Sequence, residues 1–177
     1  MTDETPPAIL VENVSKQYGD KWAVRDLSLS IPQGELFAFL GPNGAGKTTT
    51  IKMITGLLRP TRGRVAVAGH EVATDSLEAR RHLSYVPDQP YLYEKLTGRD
   101  FLKFIRDVYE LNGTARDYEE ELVTTFGMQD FVADLIETYS HGMRQRLAFA
   151  AAMLHRPKVL VVDEPMVGLD PKSMRIV

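Results

Sequence analysis

Leu36-Phe-Ala-Phe-Leu40 runs directly into Gly41-Pro-Asn-Gly-Ala-Gly46-Lys47-Thr48-Thr49. The first five of these residues are apolar and rich in aromatics, which reads as a short buried strand. The run after them fits Gly-x-x-x-x-Gly-Lys-Ser/Thr in full, through Gly41, Pro42, Asn43, Gly44, Ala45, Gly46, Lys47 and Thr48, with Thr49 just beyond. Glycines at these positions tolerate positive φ, so several backbone N–H groups can turn inward. A helix starting near Lys47 adds its positive end to that cradle. Lys47 supplies a full charge for β- and γ-phosphates, and the Thr48 hydroxyl a ligand for Mg²⁺. A motif of this completeness between a strand and a helix implies a nucleoside triphosphate site rather than an empty turn.

Working outward, 177 residues give room for one domain with a real core. A net charge of −3 offers no global attraction to nucleic acid or to an anionic membrane surface, and no nucleic-acid partner is expected. With no cysteine, disulfides and thiolate metal sites are excluded. No apolar run approaches the roughly 18–20 residues of a membrane span. The opening Met1-Thr-Asp-Glu-Thr-Pro-Pro7 is acidic and polar, unlike a secretory signal, so a cytoplasmic location is expected.

Upstream of the loop, Ile9-Leu-Val11 with Val14, and Val24, Leu27, Leu29 and Ile31, read as two strands about a Gly19-Asp20 turn. They suggest an antiparallel flap beside a parallel sheet. Tyr18, just before the turn, reads either as a half-buried strand residue or as an aromatic face for a purine. Downstream, Thr48–Leu58 carries apolar residues at helical spacing and ends at Arg59-Pro60, with a strand over 63–69. A short helix over 76–83, its Arg80 and Arg81 facing solvent, precedes a strand at Ser84-Tyr-Val86. Thr97-Gly-Arg-Asp100 resembles a capping box before a helix with a broad apolar face. Tyr118–Phe126 and Phe131–Ile136 predict two more short helices, with Glu119-Glu-Glu121 facing solvent. Residues 97–138 thus read as all-helical.

Strand character returns at Lys158-Val-Leu-Val-Val162, which runs into Asp163-Glu164-Pro165. Carboxylates at the end of an apolar parallel strand sit where ligands bind in open α/β sheets. Asp163 can hold Mg²⁺ through water, and Glu164 can polarise an attacking water beside a γ-phosphate.

Between these two sites lies Tyr139-Ser140-His141-Gly142-Met143-Arg144-Gln145-Arg146-Leu147. It resembles the Leu-Ser-Gly-Gly-Gln signature of ATP-binding cassette (ABC) ATPases, matching at Ser140 and Gly142 and departing at Tyr139, His141 and Met143. The Met-Arg-Gln-Arg continuation is similar to a subgroup that energises ABC-2 type exporters. Ser140 and Gly142 would start a helix running through Met153 and aim its N-terminus at phosphate. The resemblance implies an α/β P-loop NTPase (RecA-like) core over 1–88 and 149–177, carrying an antiparallel β flap, and an inserted all-α subdomain over 89–148. It implies ATP and Mg²⁺ as ligands, Gly41–Thr48 as Walker A, and Val159–Glu164 as Walker B with Glu164 catalytic. Tyr18 then falls where the family stacks adenine, and Asp170 of Gly168-Leu169-Asp170 in the loop that communicates across a dimer. Ser140 would act in trans on the partner's nucleotide. The implied partners are a second cassette and integral membrane permease subunits, which would hold the chain at the inner face of the cell membrane.

Two departures follow from the same resemblance. The family's glutamine after Tyr-x-Pro corresponds to Asp88 or to Gln89 one residue on, and either carries an oxygen for the metal or its water. Tyr91 and Tyr93 nearby fit contacts to a membrane subunit or packing within the insert equally well. The family also continues past its Gly-Leu-Asp loop to a central strand bearing a histidine, which has no counterpart before Val177; His155 precedes the Walker B strand. A sheet lacking that strand would leave buried backbone groups unpaired at about 1–3 kcal/mol each. The chain is therefore expected to be a piece of a longer cassette.

Overall fold

A computed structural model of the chain describes residues 5–164. The described residues divide into two compact units, which part between Ser84 and Tyr85.

The first unit is built on a sheet of four antiparallel strands in the order β2-β1-β3-β4. β1 (Ile9–Tyr18) and β2 (Lys21–Ile31) form the expected hairpin, with Tyr18 opposite Lys21 at its tip. β1 also pairs with β3 (Arg62–Val67), which turns back into β4 (His70–Glu71). Alternation puts Ile9 and Val11 on the covered face of β1, where helix α1 (Lys47–Ile54) packs through Ile51, Met53 and Ile54. A side chain fully buried there contributes about 1.5–3 kcal/mol. A short helix α2 (Ser76–Arg81) packs on β4, with Arg80 and Arg81 exposed as its sequence implied.

One expectation is overturned. Leu36–Leu40 forms no strand: Leu36 is 102% exposed and Leu40 92%, while Phe37 and Phe39 meet edge to face at 5.2 Å. Apolar composition makes a strand only when a neighbour accepts its backbone ladder, and none of the described strands pairs with this segment.

The second unit holds α3 (Gly98–Val108), α4 (Ala115–Thr125) and α5 (His141–Met153), with α3 and α4 both packed on α5. Its core gathers Leu102, Leu122, Met128, Ile136, Leu147 and Leu154. The Ala148-Phe-Ala-Ala151 stretch of α5 is buried throughout, as fits a helix apolar on most faces. β5 (Leu83–Val86), which crosses the division between the units, pairs with β6 (Val159–Val162), and the Asp163 N–H donates to the Val86 carbonyl at 2.9 Å. The capping box of α3 is present: Thr97 Oγ1 accepts from the Asp100 N–H at 3.1 Å and donates to its carboxylate at 2.6 Å.

Two further expectations change here. Phe131–Ile136 is not a helix but a set of turns closing in a 3₁₀ turn at Ile136–Thr138. Its backbone serves the start of α3 instead, since the Val132 carbonyl accepts from Arg99 and the Ile136 N–H donates to Leu96. Glu119 is not a solvated charge: it is 3% exposed, with Arg106 at 2.8 Å and Arg99 at 3.7 Å. Arg99 and Arg106 are two turns apart on α3, so one face of that helix clamps the carboxylate. Burial pushes the Glu119 carboxyl up, against the opposing pull of the Arg106, Arg99 and Arg116 guanidinium groups.

Candidate nucleotide-binding site

In the first unit the phosphate loop leads into α1 as its spacing requires. Gly46 is the N-cap residue at φ 88°, ψ 5°, and a Cβ added there would lie 2.6 Å from the Ala23 carbonyl oxygen of β2. The position therefore needs glycine for its backbone and for its space alike. The Ala45 N–H closes a turn on Pro42 at 3.2 Å, and Gly44 follows the same left-handed path at φ 83°. Pro42, Asn43 and Gly44 are exposed. At the start of α1, N–H groups have no partner inside the helix and point at whatever anion fills the loop.

Lys47 lies across the loop, its ammonium donating to the carbonyls of Gly41 at 2.6 Å and Pro42 at 3.1 Å. Both acceptors are neutral, so a phosphate would draw the ammonium more strongly. Thr48 is exposed and Thr49 half-buried at the start of the helix. Tyr18 is 52% exposed at the hairpin tip, with the Lys16 ammonium over its ring at 5.4 Å from the centroid.

In the second unit β6 delivers Asp163, half-buried, and then Glu164, exposed at φ 49°. Asp163 accepts a hydrogen bond from the Tyr85 hydroxyl of β5. Burial raises the Tyr85 phenol, and the negative charges of Asp163 and Asp88 push it the same way, so Tyr85 stays a donor. Asp88 is half-buried and Gln89 exposed on the segment after β5. Hydroxyl, carboxylate and amide oxygens, which Thr48 offers in the first unit and Asp163, Asp88 and Gln89 in the second, are of the hard type that Mg²⁺ takes.

Ser140 caps α5, its Oγ accepting from the Met143 N–H at 3.3 Å, and Gly142 is buried in the first turn. A cap of this type contributes about 1 kcal/mol. Tyr139, in place of the signature's leucine, is 5% exposed and donates to the Phe131 carbonyl at 2.8 Å. Burial drives its phenol up to about 12. Asp170 lies outside the described residues.

Two groups escaped the sequence reading. Tyr85 reads only as a strand residue, yet its hydroxyl lies beside the Asp163 carboxylate. Gln145 is 1% exposed, and its Oε1 has no hydrogen-bond partner among the described residues. Gln145 stands between Arg144 and Arg146 in the polar first half of α5, so no local pattern marks it as buried.

A glycine-capped helix behind a lysine-bearing loop, on an α/β chain, defines a P-loop nucleotide-binding protein. The chain belongs to the ABC transporter family, whose model matches residues 24–167. It is 42% identical over 166 residues to YhcH, an uncharacterized ABC transporter ATP-binding protein of Bacillus subtilis, covering 93% of this chain and 53% of that protein. It is 40% identical over 163 residues to the linearmycin resistance ATP-binding protein LnrL of the same bacterium, covering 92% and 52%. Among solved structures, the ATP-binding cassette MJ0796, a dimer in a post-hydrolysis state bound to ADP and Pi, is 25% identical with a TM-score of 0.83. That likeness covers 95% of this chain and 78% of that one. The fold is the α/β P-loop architecture that the sequence resemblance implied. The chain spans about half the length of the curated relatives it matches. Among the described residues no helix is long and apolar enough to cross a membrane.

Proposed function

We propose that this chain binds Mg-ATP through its phosphate loop and belongs to an ATP-hydrolysing subunit that drives export through separate membrane permease subunits. The observation that carries the reading is the loop itself: Gly46 starts α1 in a conformation only glycine takes comfortably, and Lys47 lies 2.6 Å from the loop's own carbonyl. ATP supplies the phosphoanhydride to be cleaved, and Mg²⁺ neutralises its phosphates. Lys47 and the loop N–H groups hold the β- and γ-phosphates, and Tyr18 offers its ring to adenine. Thr48 and Asp163, with Asp88 or Gln89, hold the metal. Glu164 takes the proton of the attacking water.

Ser140 and Gly142, at the head of α5, serve the nucleotide of a second cassette, with Asp170 in the communicating loop. The dimeric cassette with ADP and Pi supports that pairing, and linearmycin resistance in a relative supports export. Permease contact would place the protein at the inner face of the cell membrane.

Glu164→Gln tests the chemistry. It is expected to hold Mg-ATP as tightly as the unaltered protein while phosphate release falls by about 10²–10⁴-fold. Normal turnover in that variant removes Glu164 from the role of base. A second reading, ATP binding without turnover, draws support from Asp88 at the glutamine position. Tight Mg-ATP binding with no phosphate release from the unaltered protein at any concentration would favour it.

A further inference from the structure

Away from the phosphate loop, the first unit brings two histidines and a glutamate together. His70 lies on β4, and Glu78 and His82 lie on α2 and at its C-terminal end. One ring nitrogen from each histidine and one carboxylate oxygen of Glu78 all lie within 4.8 Å of one another, and all three residues are half-buried. The two imidazole rings are 5.3 Å apart between centroids. Asp75, the N-cap residue of α2, meets His70 Nδ1 at 2.6 Å.

We propose that His70, His82 and Glu78 form a divalent transition-metal site, suited to Zn²⁺, which fastens β4 to α2. Each part of the set has a chemical reason. Glu78 and His82 are four residues apart, so one helical face presents both. Two imidazoles and a carboxylate are a zinc donor set, and three protein ligands leave the fourth position to water. A carboxylate on the second nitrogen of a ligating histidine fixes the ring's tautomer and orientation, and Asp75 stands in that place for His70, leaving Nε2 for the metal. Tetrahedral bonds of about 2.0–2.1 Å put ligand atoms roughly 3.3 Å apart, so the side-chain ends must close by about 1–1.5 Å. Half-buried side chains at a helix end can make that movement. Arg81 pairs with Glu78 Oε1 at 2.9 Å, which leaves the other carboxylate oxygen available to a metal. This site is separate from the Mg²⁺ site of the phosphate loop, which offers oxygen ligands.

The test uses the full chain, first freed of metal with a chelator and without nucleotide, titrated with Co²⁺ and then with Zn²⁺. The expected result is one Co²⁺ per chain with the intense visible bands of tetrahedral coordination, bleached when Zn²⁺ displaces it. His70→Ala and His82→Ala should each abolish the bands, while His141→Ala should keep them. Asp75→Asn retains all three ligands and should weaken binding by about 10–100-fold. Melting of each metal-free variant shows that it is folded. Absence of tetrahedral bands in the unaltered protein overturns the proposal, as does their persistence in both histidine variants or full affinity in Asp75→Asn.

Discussion

Gly46→Ala is the sharpest perturbation of the phosphate loop, because two separate costs can be worked out from the geometry. The residue sits at φ 88°, and a left-handed conformation costs a non-glycine residue about 1–2 kcal/mol. Its new Cβ would stand 2.6 Å from the Ala23 carbonyl oxygen and 3.1 Å from a Val24 methyl. The first of these is backbone in a paired strand and cannot rotate away, so overpacking adds about 1–3 kcal/mol. Together they amount to about 2–5 kcal/mol; the variant loop escapes that strain by leaving this conformation and must re-form it to hold ATP, so at 1.4 kcal/mol per tenfold the affinity falls by roughly 30-fold to several thousand-fold. Gly44→Ala is the internal comparison. It has a similar φ of 83° but no heavy atom within 4 Å of the added Cβ. Only the conformational cost of about 1–2 kcal/mol applies there, a loss of roughly 5–30-fold. Equilibrium titration with a fluorescent ATP analogue reads both. Unchanged affinity in Gly46→Ala, or a greater loss in Gly44→Ala, would show that the Ala23 carbonyl does not hold this position to glycine.

Two other predictions concern stability. Removing one partner of the buried pair, as in Arg106→Ala, leaves Glu119 with Arg99 at 3.7 Å and the charge of Arg116, and is expected to cost about 3 kcal/mol in denaturant unfolding; Lys95→Ala, which breaks a surface pair with Glu137, should leave the unfolding midpoint unchanged. Tyr139 ionises near pH 12 folded, against about 10 unfolded, so between those values the folded state holds a proton that the unfolded state has lost. Its contribution is fully present below pH 10 and is lost as pH rises, about 2–3 kcal/mol in all. Tyr139→Phe should flatten that share of the alkaline decline; identical alkaline curves for both proteins would contradict the assignment.

What could be read from sequence was local. The β1–β2 hairpin, the Thr97–Asp100 capping box, the glycine-led start of α1 and the Ser140 cap of α5 each depend on residues within a few positions of one another. What was misread depends on distant partners. Leu36–Leu40 looks buried by composition, but strand formation needs a neighbour to accept its ladder. Phe131–Ile136 has helical spacing, yet its backbone bonds go to the residues opening α3, over thirty positions earlier in the chain. Glu119 sits in an acidic run, and only the crossing of α3 and α4 shows that it faces two arginines.

The candidate site divides along the same line. Its loop, lysine and terminal carboxylates stand in contiguous motifs. Tyr85, by contrast, meets Asp163 from a strand 78 residues away in sequence, which no motif spacing encodes. The helical spacing of Glu78 and His82 is visible in sequence, but His70 joins them only because the β3–β4 turn brings it to α2.

Phosphate release from Mg-ATP, measured per chain across a range of protein concentrations for the unaltered protein and for Glu164→Gln, tests whether this chain belongs to a dimeric ATPase. A P-loop ATPase that completes its site with a second cassette predicts a rate per chain that climbs with concentration and collapses in the variant. A rate per chain that stays constant with concentration, or survives Glu164→Gln, would contradict it.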